Sequence, residues 1–295
     1  MTSSGETHAA HAPAKVNLFL HITSRRDDGY HLLDSAFIFT RLGDRLTYRA
    51  AAGGLSMSCG GPYAPALASE DSEANLVLRA ARALAAAAGL HPHGRLELDK
   101  HIPVAAGLGG GSADAAAAIR LLASAWDTDL LDEILEAIAL TLGADVPACL
   151  SSTPVRVRGI GEVLTPLDGQ PGWGVLLVNP GVSVPTGPVF RHFRMSAAPF
   201  HPALPDNIPW RDPAWLSRHT ANDLEPAAIA IAPVIGKTLE AIRELEGCRL
   251  ARMSGSGATC FGLFDTPDAA HRAEQRLARQ ATDNGWWRWA GGLYR

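Results

Sequence analysis

Cysteine is scarce: Cys59, Cys149, Cys248 and Cys260 are the only four in 295 residues. They form no C-x-x-C pair and no histidine stands near them at zinc-finger spacing, which excludes a structural zinc site of that kind. A chain this large with so few thiols has no need of a disulfide framework. A reducing cytoplasm is the expected compartment, and the cysteines are expected to be small buried apolar residues. Long hydrophobic runs are also missing. No apolar stretch approaches 18 residues, so no transmembrane helix and no membrane partner are expected. The first eleven residues are polar and Ala-rich without the apolar centre of a secretory signal, and are expected to form a loose tail. Positive charge is in short supply too, with 26 Lys and Arg against 30 Asp and Glu and a net charge of −4. That argues against a broad nucleic-acid-binding face and leaves room for a small, local anion site.

What is present is an ordinary globular balance, 47% hydrophobic and 19% charged, far from the composition of disorder. The length suggests two domains and can bury a large core. The texture changes near residue 158, where short strands and Pro-rich loops take over. The expected division is therefore into 1–158 and 159–295.

Residues 14–22 alternate, with Val16, Leu18, Leu20 and Ile22 on one face and Lys15, Asn17, Phe19 and His21 on the other, which predicts a strand. Further strands are expected over 33–41, 44–50, 55–59 and 95–100. Asn75 opens a helical pattern that Gly89 closes. Helices are expected over 113–126 and 129–142, the second stopping at Gly143, with Asp145 and Pro147 just beyond. Short strands follow over 155–158, 162–167 and 175–179. Residues 185–213 read as an ordered loop region with short helices. A helix over 234–246 ends at Gly247, two strands flank Ser254-Gly255-Ser256-Gly257, and a helix capped by Asp268 follows.

The glycine-rich segment Gly107-Leu108-Gly109-Gly110-Gly111-Ser112 lies between a strand and a helix. Glycines allow close backbone approach and positive φ, and a helix N-terminus offers free N–H groups, so the segment suits a phosphate. Ser112 is placed to cap the helix or to contact phosphate or Mg²⁺. No lysine follows the glycines, so a Walker A loop is excluded. A dinucleotide fingerprint starting at Gly107 fails at Ser112. A tight structural connection remains the plainer alternative. Lys15 and Asn17 taken singly fit an exposed sheet face. Asp145 alone fits a turn residue in a place where a helix C-terminus disfavours a carboxylate. His31 alone fits a turn.

Three segments in order change that weighting: Pro13-Ala14-Lys15-Val16-Asn17-Leu18; Pro103-Val104-Ala105-Ala106-Gly107-Leu108-Gly109-Gly110-Gly111-Ser112-Ala113; and Ser254-Gly255-Ser256-Gly257-Ala258-Thr259. Together they resemble the three motifs of the GHMP kinases. Arg26-Asp27-Asp28-Gly29-Tyr30-His31, Leu142-Gly143-Ala144-Asp145-Val146-Pro147, Gly161-Glu162, residues 179–186 and Asn222-Asp223-Leu224-Glu225 narrow the resemblance. They point to the members that phosphorylate a cytidyl-diphosphate methylerythritol in the non-mevalonate isoprenoid route. The likeness runs collinearly over about residues 12–265. Ala105 and Ala106 depart from it, standing where many relatives carry glycine, and Ala113 replaces a frequent Ser.

The resemblance implies an α+β, two-domain GHMP kinase fold. Its N-terminal domain would be like domain 2 of ribosomal protein S5, its C-terminal domain ferredoxin-like, and its site would lie in the cleft between them. It implies transfer of phosphate from ATP, with Mg²⁺, to the substrate's 2-hydroxyl. Asp145 would be the base and Lys15 the cation beside it. Residues 103–113 would wrap the triphosphate, with Asn75 and Lys100 near the adenosine. Tyr30 and Phe190 would clamp the cytosine, His31 would bond its edge, and Asn17, Thr186 and Asp145 would line the substrate side. The implied metal ligands are unknown. A monomer or weak homodimer without nucleic acid is expected. The alternatives are a GHMP kinase acting on homoserine or mevalonate, a nucleic-acid-binding module on the S5-like fold, and a nicotinamide dehydrogenase. The Gly-Tyr-His turn, the net charge and the broken glycine fingerprint speak against them in turn.

Overall fold

Two 19-residue strands open the chain, β1 (Thr7–Arg25) and β2 (His31–Arg49), in a computed structural model that describes residues 7–67 and 74–295. Residues 7–11 are therefore strand rather than loose tail; residues 1–6 lie outside the described residues. The alternation of β1 does not separate an inner from an outer face, because residues 12–22 are all buried. The polar side chains on the second face are tied inside: Lys15 to Asn17, Asn17 to Ser35, and His21 Nε2 to the Ala221 N–H. A buried polar group without such a partner costs several kcal/mol, roughly 2–7. The two strands expected over 33–41 and 44–50 are one. Gly43 lets the chain run on: a Cβ there would lie 2.5 Å from the His11 ring and 2.7 Å from the Ala12 carbonyl.

The described residues fold as two compact units, and β1 and β2 each contribute one stretch to either. Residues 7–14, 42–104 and 109–152 form the first; residues 15–41, 105–108 and 153–295 form the second. The final crossing, after Ser152, falls close to the texture change at residue 158. The earlier crossings leave no mark in composition.

In the first unit, β3 (Leu55–Gly60) pairs in parallel with β4 (Gly94–Asp99), and β4 pairs antiparallel with the second half of β2. β3 is an edge strand, so Cys59 is exposed, contrary to expectation; Cys149 and Cys260 are buried, Cys248 is half-buried, and none of the four forms a disulfide. After α1 (Ala64–Leu67) comes α2 (Leu76–Ala87), capped as expected by the Asn75 carbonyl on the Val77 N–H, with Gly89 at φ +66° beyond it. The next helix, α3 (Gly110–Ala125), starts three residues earlier than its alanines suggest. Its N-cap is Gly109 at φ +64°, so Ser112 lies inside the first turn and caps nothing. The buried face is Ala113 and residues 115–118, small side chains that let helices approach closely. α4 (Asp132–Leu142) ends at Gly143 as expected. A short helix not foreseen, α5 (Val146–Ser151), follows at once.

In the second unit, the first half of β2 pairs antiparallel with β5 (Val155–Gly159), and β5 with β6 (Val163–Pro166). Then come β7 (Gly174–Asn179), α6 (Thr186–Met195), α7 (Pro213–His219), α8 (Glu225–Ile231), α9 (Val234–Arg243), β8 (Leu250–Met253), β9 (Cys260–Phe264), α10 (Pro267–Asp283) and β10 (Trp287–Gly292). The last four strands form an antiparallel sheet ordered β10-β7-β9-β8, the ferredoxin-like arrangement. α10 buries Ala270, Ala273, Leu277 and Ala281, a stripe of helical period. Its cap is the Thr266 hydroxyl on the Ala269 N–H, not Asp268, which sits in the first turn. The Trp-rich end forms β10 and buries Trp286 beside it. Part of the Pro-rich stretch is the ten-residue α6. The loop after it is pinned by Arg156, which is bidentate to Asp34 at 2.8 and 2.7 Å and donates to the carbonyls of Leu204, Pro205 and Asp206. Among the described residues, no helix is long and apolar enough to cross a membrane.

Candidate active site

The three short segments singled out in the sequence interlock within the second unit. Lys15 N–H donates to the Leu108 carbonyl at 3.0 Å, and Thr259 N–H to the Ala106 carbonyl at 3.2 Å. Asn17 N–H donates to Ser254 Oγ at 3.2 Å, and that hydroxyl donates to the Gly107 carbonyl at 2.9 Å. The close approach explains the glycines. Gly107 has φ +77°, and a Cβ there would run into the Ser254 carbonyl and lie 2.8 Å from the Gly257 carbonyl. Gly255 has φ +58°, and its Cβ would sit 3.4 Å from Lys15 Nζ and 3.5 Å from Asn17 Oδ1.

Lys15 and Asn17 share this interior. The ammonium donates to Asn17 Oδ1 at 2.6 Å and stands 4.8 Å over the Phe37 ring; Asn17 Nδ2 donates to Ser35 Oγ at 2.9 Å, and Ser35 to the Phe19 carbonyl. The chain of donors fixes the amide's orientation and with it the direction of the lysine. A cation held this way supplies a fixed positive charge without reorganisation, which is what charge developing on oxygen requires.

The glycine segment leaves this interior and enters α3. Ala105, one of the two departures from the motif, takes φ +53°, a left-handed conformation that costs a residue with a Cβ about 1–2 kcal/mol. In the first unit, Gly110 starts the helix over Lys100: a Cβ there would lie 3.0 Å from Lys100 Nζ. That ammonium is buried and bound by Asp44 at 2.5 Å and Asp114 at 2.6 Å. Its charge is therefore neutralised inside the fold, at a residue the resemblance places near the adenosine. Asp44 also accepts the His101 and Ile102 N–H groups. Asp114 Oδ1 has no partner, and burial first, then the neighbouring Asp44, holds the Asp114 carboxyl well above the ordinary carboxylate range. The two carboxylates were missed in the sequence because each is unremarkable in its own element.

Asp145 also lies in the first unit, half-buried, at the position before α5. It faces the start of a helix as well as following the end of one, so the dipole that disfavours it from α4 is opposed by the N-terminus of α5. Arg120 on α3 holds the far end of α5, donating to the Cys149 and Leu150 carbonyls at 2.7 and 2.8 Å. Asn75 is committed as a helix cap, and Pro103 and Val104 are half-buried.

In the second unit the aromatic residues are partly brought together. The rings of His31 and Phe190 lie 5.2 Å apart, and Phe193 is 6.0 Å from His31. Tyr30 stands in the exposed turn, 63% accessible, with its N–H on Asp28. Adjacent residues point to opposite sides at the start of a strand, so Phe190 meets His31 rather than Tyr30. Burial, then Arg25 and Arg194, lowers the His31 pKa, which favours the neutral ring. Thr186 and Ser256 share a hydroxyl–hydroxyl hydrogen bond of 2.8 Å; Ser256 belongs to the third motif segment but was given no role of its own.

Among the described residues no group of three or more His, Cys, Asp or Glu is placed to hold a metal ion. Ser112 is half-buried in the first turn of α3.

Comparison with known proteins shows the family. The model of the GHMP kinases N terminal domain matches residues 75–153, and that of the GHMP kinases C terminal domain matches residues 203–283. A 4-diphosphocytidyl-2-C-methyl-D-erythritol kinase of Granulibacter bethesdensis is 51% identical, covering 98% of this chain and 96% of that protein. One of Cereibacter sphaeroides is 50% identical over 94% of this chain and 96% of its own. The crystal structure of a 4-(cytidine 5'-diphospho)-2C-methyl-D-erythritol kinase superposes with a TM-score of 0.80 at 38% identity, covering 97% and 99% of the two chains. A homoserine kinase of Cytophaga hutchinsonii shares the fold, with a TM-score of 0.72 at 18% identity over 100% and 96%. The chain belongs to the GHMP kinases and, within them, to the family of the 4-diphosphocytidyl-2-C-methyl-D-erythritol kinases.

Proposed function

We propose that this protein transfers the γ-phosphoryl group of ATP to the 2-hydroxyl of 4-diphosphocytidyl-2-C-methyl-D-erythritol, yielding ADP and the 2-phosphate, in the cytoplasm. The observation that supports this most is the interlocked Lys15–Asn17 pair, whose side chains bond each other and whose backbone N–H groups bond the Leu108 carbonyl and the Ser254 hydroxyl. A bound Mg²⁺ would offset charge on the transferring phosphate.

The attacking hydroxyl must lose its proton as its oxygen bonds phosphorus and the bond to the ADP oxygen breaks. Asp145 accepts that proton. Lys15, aimed by Asn17, offsets charge on the attacking oxygen or the γ-phosphate. Backbone N–H groups of residues 103–113, at the start of α3, position the triphosphate, with Asn75 and Lys100 on the adenosine side. Tyr30 and Phe190 take the cytosine between them, His31 bonds its edge, and Thr186 and Asn17 orient the substrate. A site that bonds one base rejects analogues that leave its polar groups unpaired.

The test is product analysis after incubation with ATP, Mg²⁺ and the cytidyl substrate, for the wild type and for Asp145→Asn. The wild type is expected to release ADP and the 2-phosphate, and the variant to bind nucleotide without turnover. An active Asp145→Asn enzyme removes Asp145 from the base role, and turnover of homoserine or mevalonate in place of the cytidyl substrate overturns the substrate assignment.

A further inference from the structure

Asn222 lies between α7 and α8, far in sequence from every segment given a role above, and it is 4% exposed. Its amide nitrogen donates two hydrogen bonds of 2.8 Å, one to the Met253 carbonyl and one to the Gly255 carbonyl. Its amide oxygen accepts the Leu224 N–H at 3.0 Å. All the hydrogen-bonding capacity that points at the turn after β8 is thus spent on backbone, and a third tie comes from Glu225, whose carboxylate accepts the Met253 N–H at 3.0 Å. The turn so held carries Ser254, whose hydroxyl accepts the Asn17 N–H, and Gly255, where a Cβ would sit 3.4 Å from Lys15 Nζ and 3.5 Å from Asn17 Oδ1.

We infer that Asn222 is a positioning residue for the phosphoryl transfer: by clamping the Met253 and Gly255 carbonyls it holds the turn that aims Lys15 and Asn17. The inference rests on the role proposed above for Lys15. Asn222 touches neither reacting group. Without its two donors the Gly255 peptide is free to rotate, and a glycine at positive φ offers little resistance of its own. The turn bonds Asn17 through the Ser254 hydroxyl and Asn17 bonds the Lys15 ammonium, so a shift of the turn is passed to the charge. Misplacement by about 1 Å can cost on the order of 100-fold in rate.

The experiment is steady-state and single-turnover kinetics on Asn222→Ala, with Leu277→Ala on α10 as a control that loses buried area from the same unit, both followed by thermal unfolding. Asn222→Ala is expected to lower kcat by about 10- to 100-fold while KM for ATP and for the cytidyl substrate moves less than about twofold. Leu277→Ala, with an equal or larger fall in Tm, is expected to keep kcat within about twofold. In a Lys15→Met background, measured with enzyme in excess, Asn222→Ala is expected to cost less than about twofold more, because the group it aims is gone. Asn222→Ser, which retains one donor, is expected to fall between, and serves in its place if the alanine variant does not fold.

The inference is overturned if kcat follows Tm equally in the Asn222 and Leu277 variants, or if the full loss persists in the Lys15→Met background. If Lys15→Met alone leaves kcat intact, the role of Lys15 fails and this inference with it. If Lys15→Met abolishes turnover while Asn222→Ala does not lower kcat, only the inference fails.

Discussion

Replacing Asp114 by Asn should change how stability depends on pH, in a direction the buried cluster dictates. Asp114 and Asp44 both reach the Lys100 ammonium, at 2.6 and 2.5 Å, in an interior sealed from water. One ammonium cannot satisfy two carboxylates. Asp44 has two backbone N–H donors besides, whereas Asp114 Oδ1 has nothing. The proton therefore stays on Asp114, whose pKa burial pushes up to about 8, against roughly 3.9 in an unfolded chain. Lys100 is raised from an already high value by the two carboxylates, against the opposing effect of its burial, and stays charged across this range. Between these two Asp114 values the folded protein binds one proton more than the unfolded chain. Stability falls as pH rises, by at most about 1.4 kcal/mol per pH unit, and the fall levels off near pH 8. Asparagine mimics the protonated acid and cannot lose the proton. The free energy of urea unfolding, followed by far-UV circular dichroism at four values from pH 5.5 to 8.5, should show the variant gaining on the wild type as pH rises. Taking the difference between the two proteins cancels every other titrating group. Two parallel curves would refute the assignment of the proton to Asp114.

Two further outcomes are expected. Ala105→Gly should stabilise the protein by about 1 kcal/mol, since glycine takes the left-handed conformation without the Cβ clash; a lower Tm by calorimetry would contradict this. Phe190→Ala should weaken the cytidyl substrate by the loss of one stacking face, about 1–3 kcal/mol, read as a rise in its KM of about 5- to 150-fold with the KM for ATP unmoved; equal rises in both would place Phe190 outside the base site.

Local signals in the sequence were legible where one residue type has one structural use. Asn75 as a cap, Gly89 and Gly143 as stops, and the strands around Ser254 all lie where their side chains or backbone freedom demand. The motif segments were legible as an ordered set, and the structure joins three of them by hydrogen bonds. What could not be read was partnership across distance. The alternation of β1 suggests one wet face, but Lys15, Asn17 and His21 are dry because partners from elsewhere in the chain meet them. Nothing near Lys100 announces that Asp44 and Asp114 will neutralise it. Trp287 and Trp289 carry no strand signal by themselves; they sit in β10 because β7 offers an edge. The start of α3 differs from the expected one because glycine is a poor helix former, yet at position 110 a Cβ would press to 3.0 Å from Lys100 Nζ and 3.1 Å from Ile102 Cγ2.

The passage of β1 and β2 through both units has a consequence for synthesis on the ribosome. Residues 15–41 belong with residues 153–295, and Asn17 waits for Ser254. At about 5–20 residues per second, roughly 10–50 s separate the emergence of the first partner from that of the last. During that interval the paired strands β1 and β2 expose apolar residues that the finished protein buries. Vectorial folding of one domain after the other is closed to this chain, and neither unit can be obtained by cutting it once.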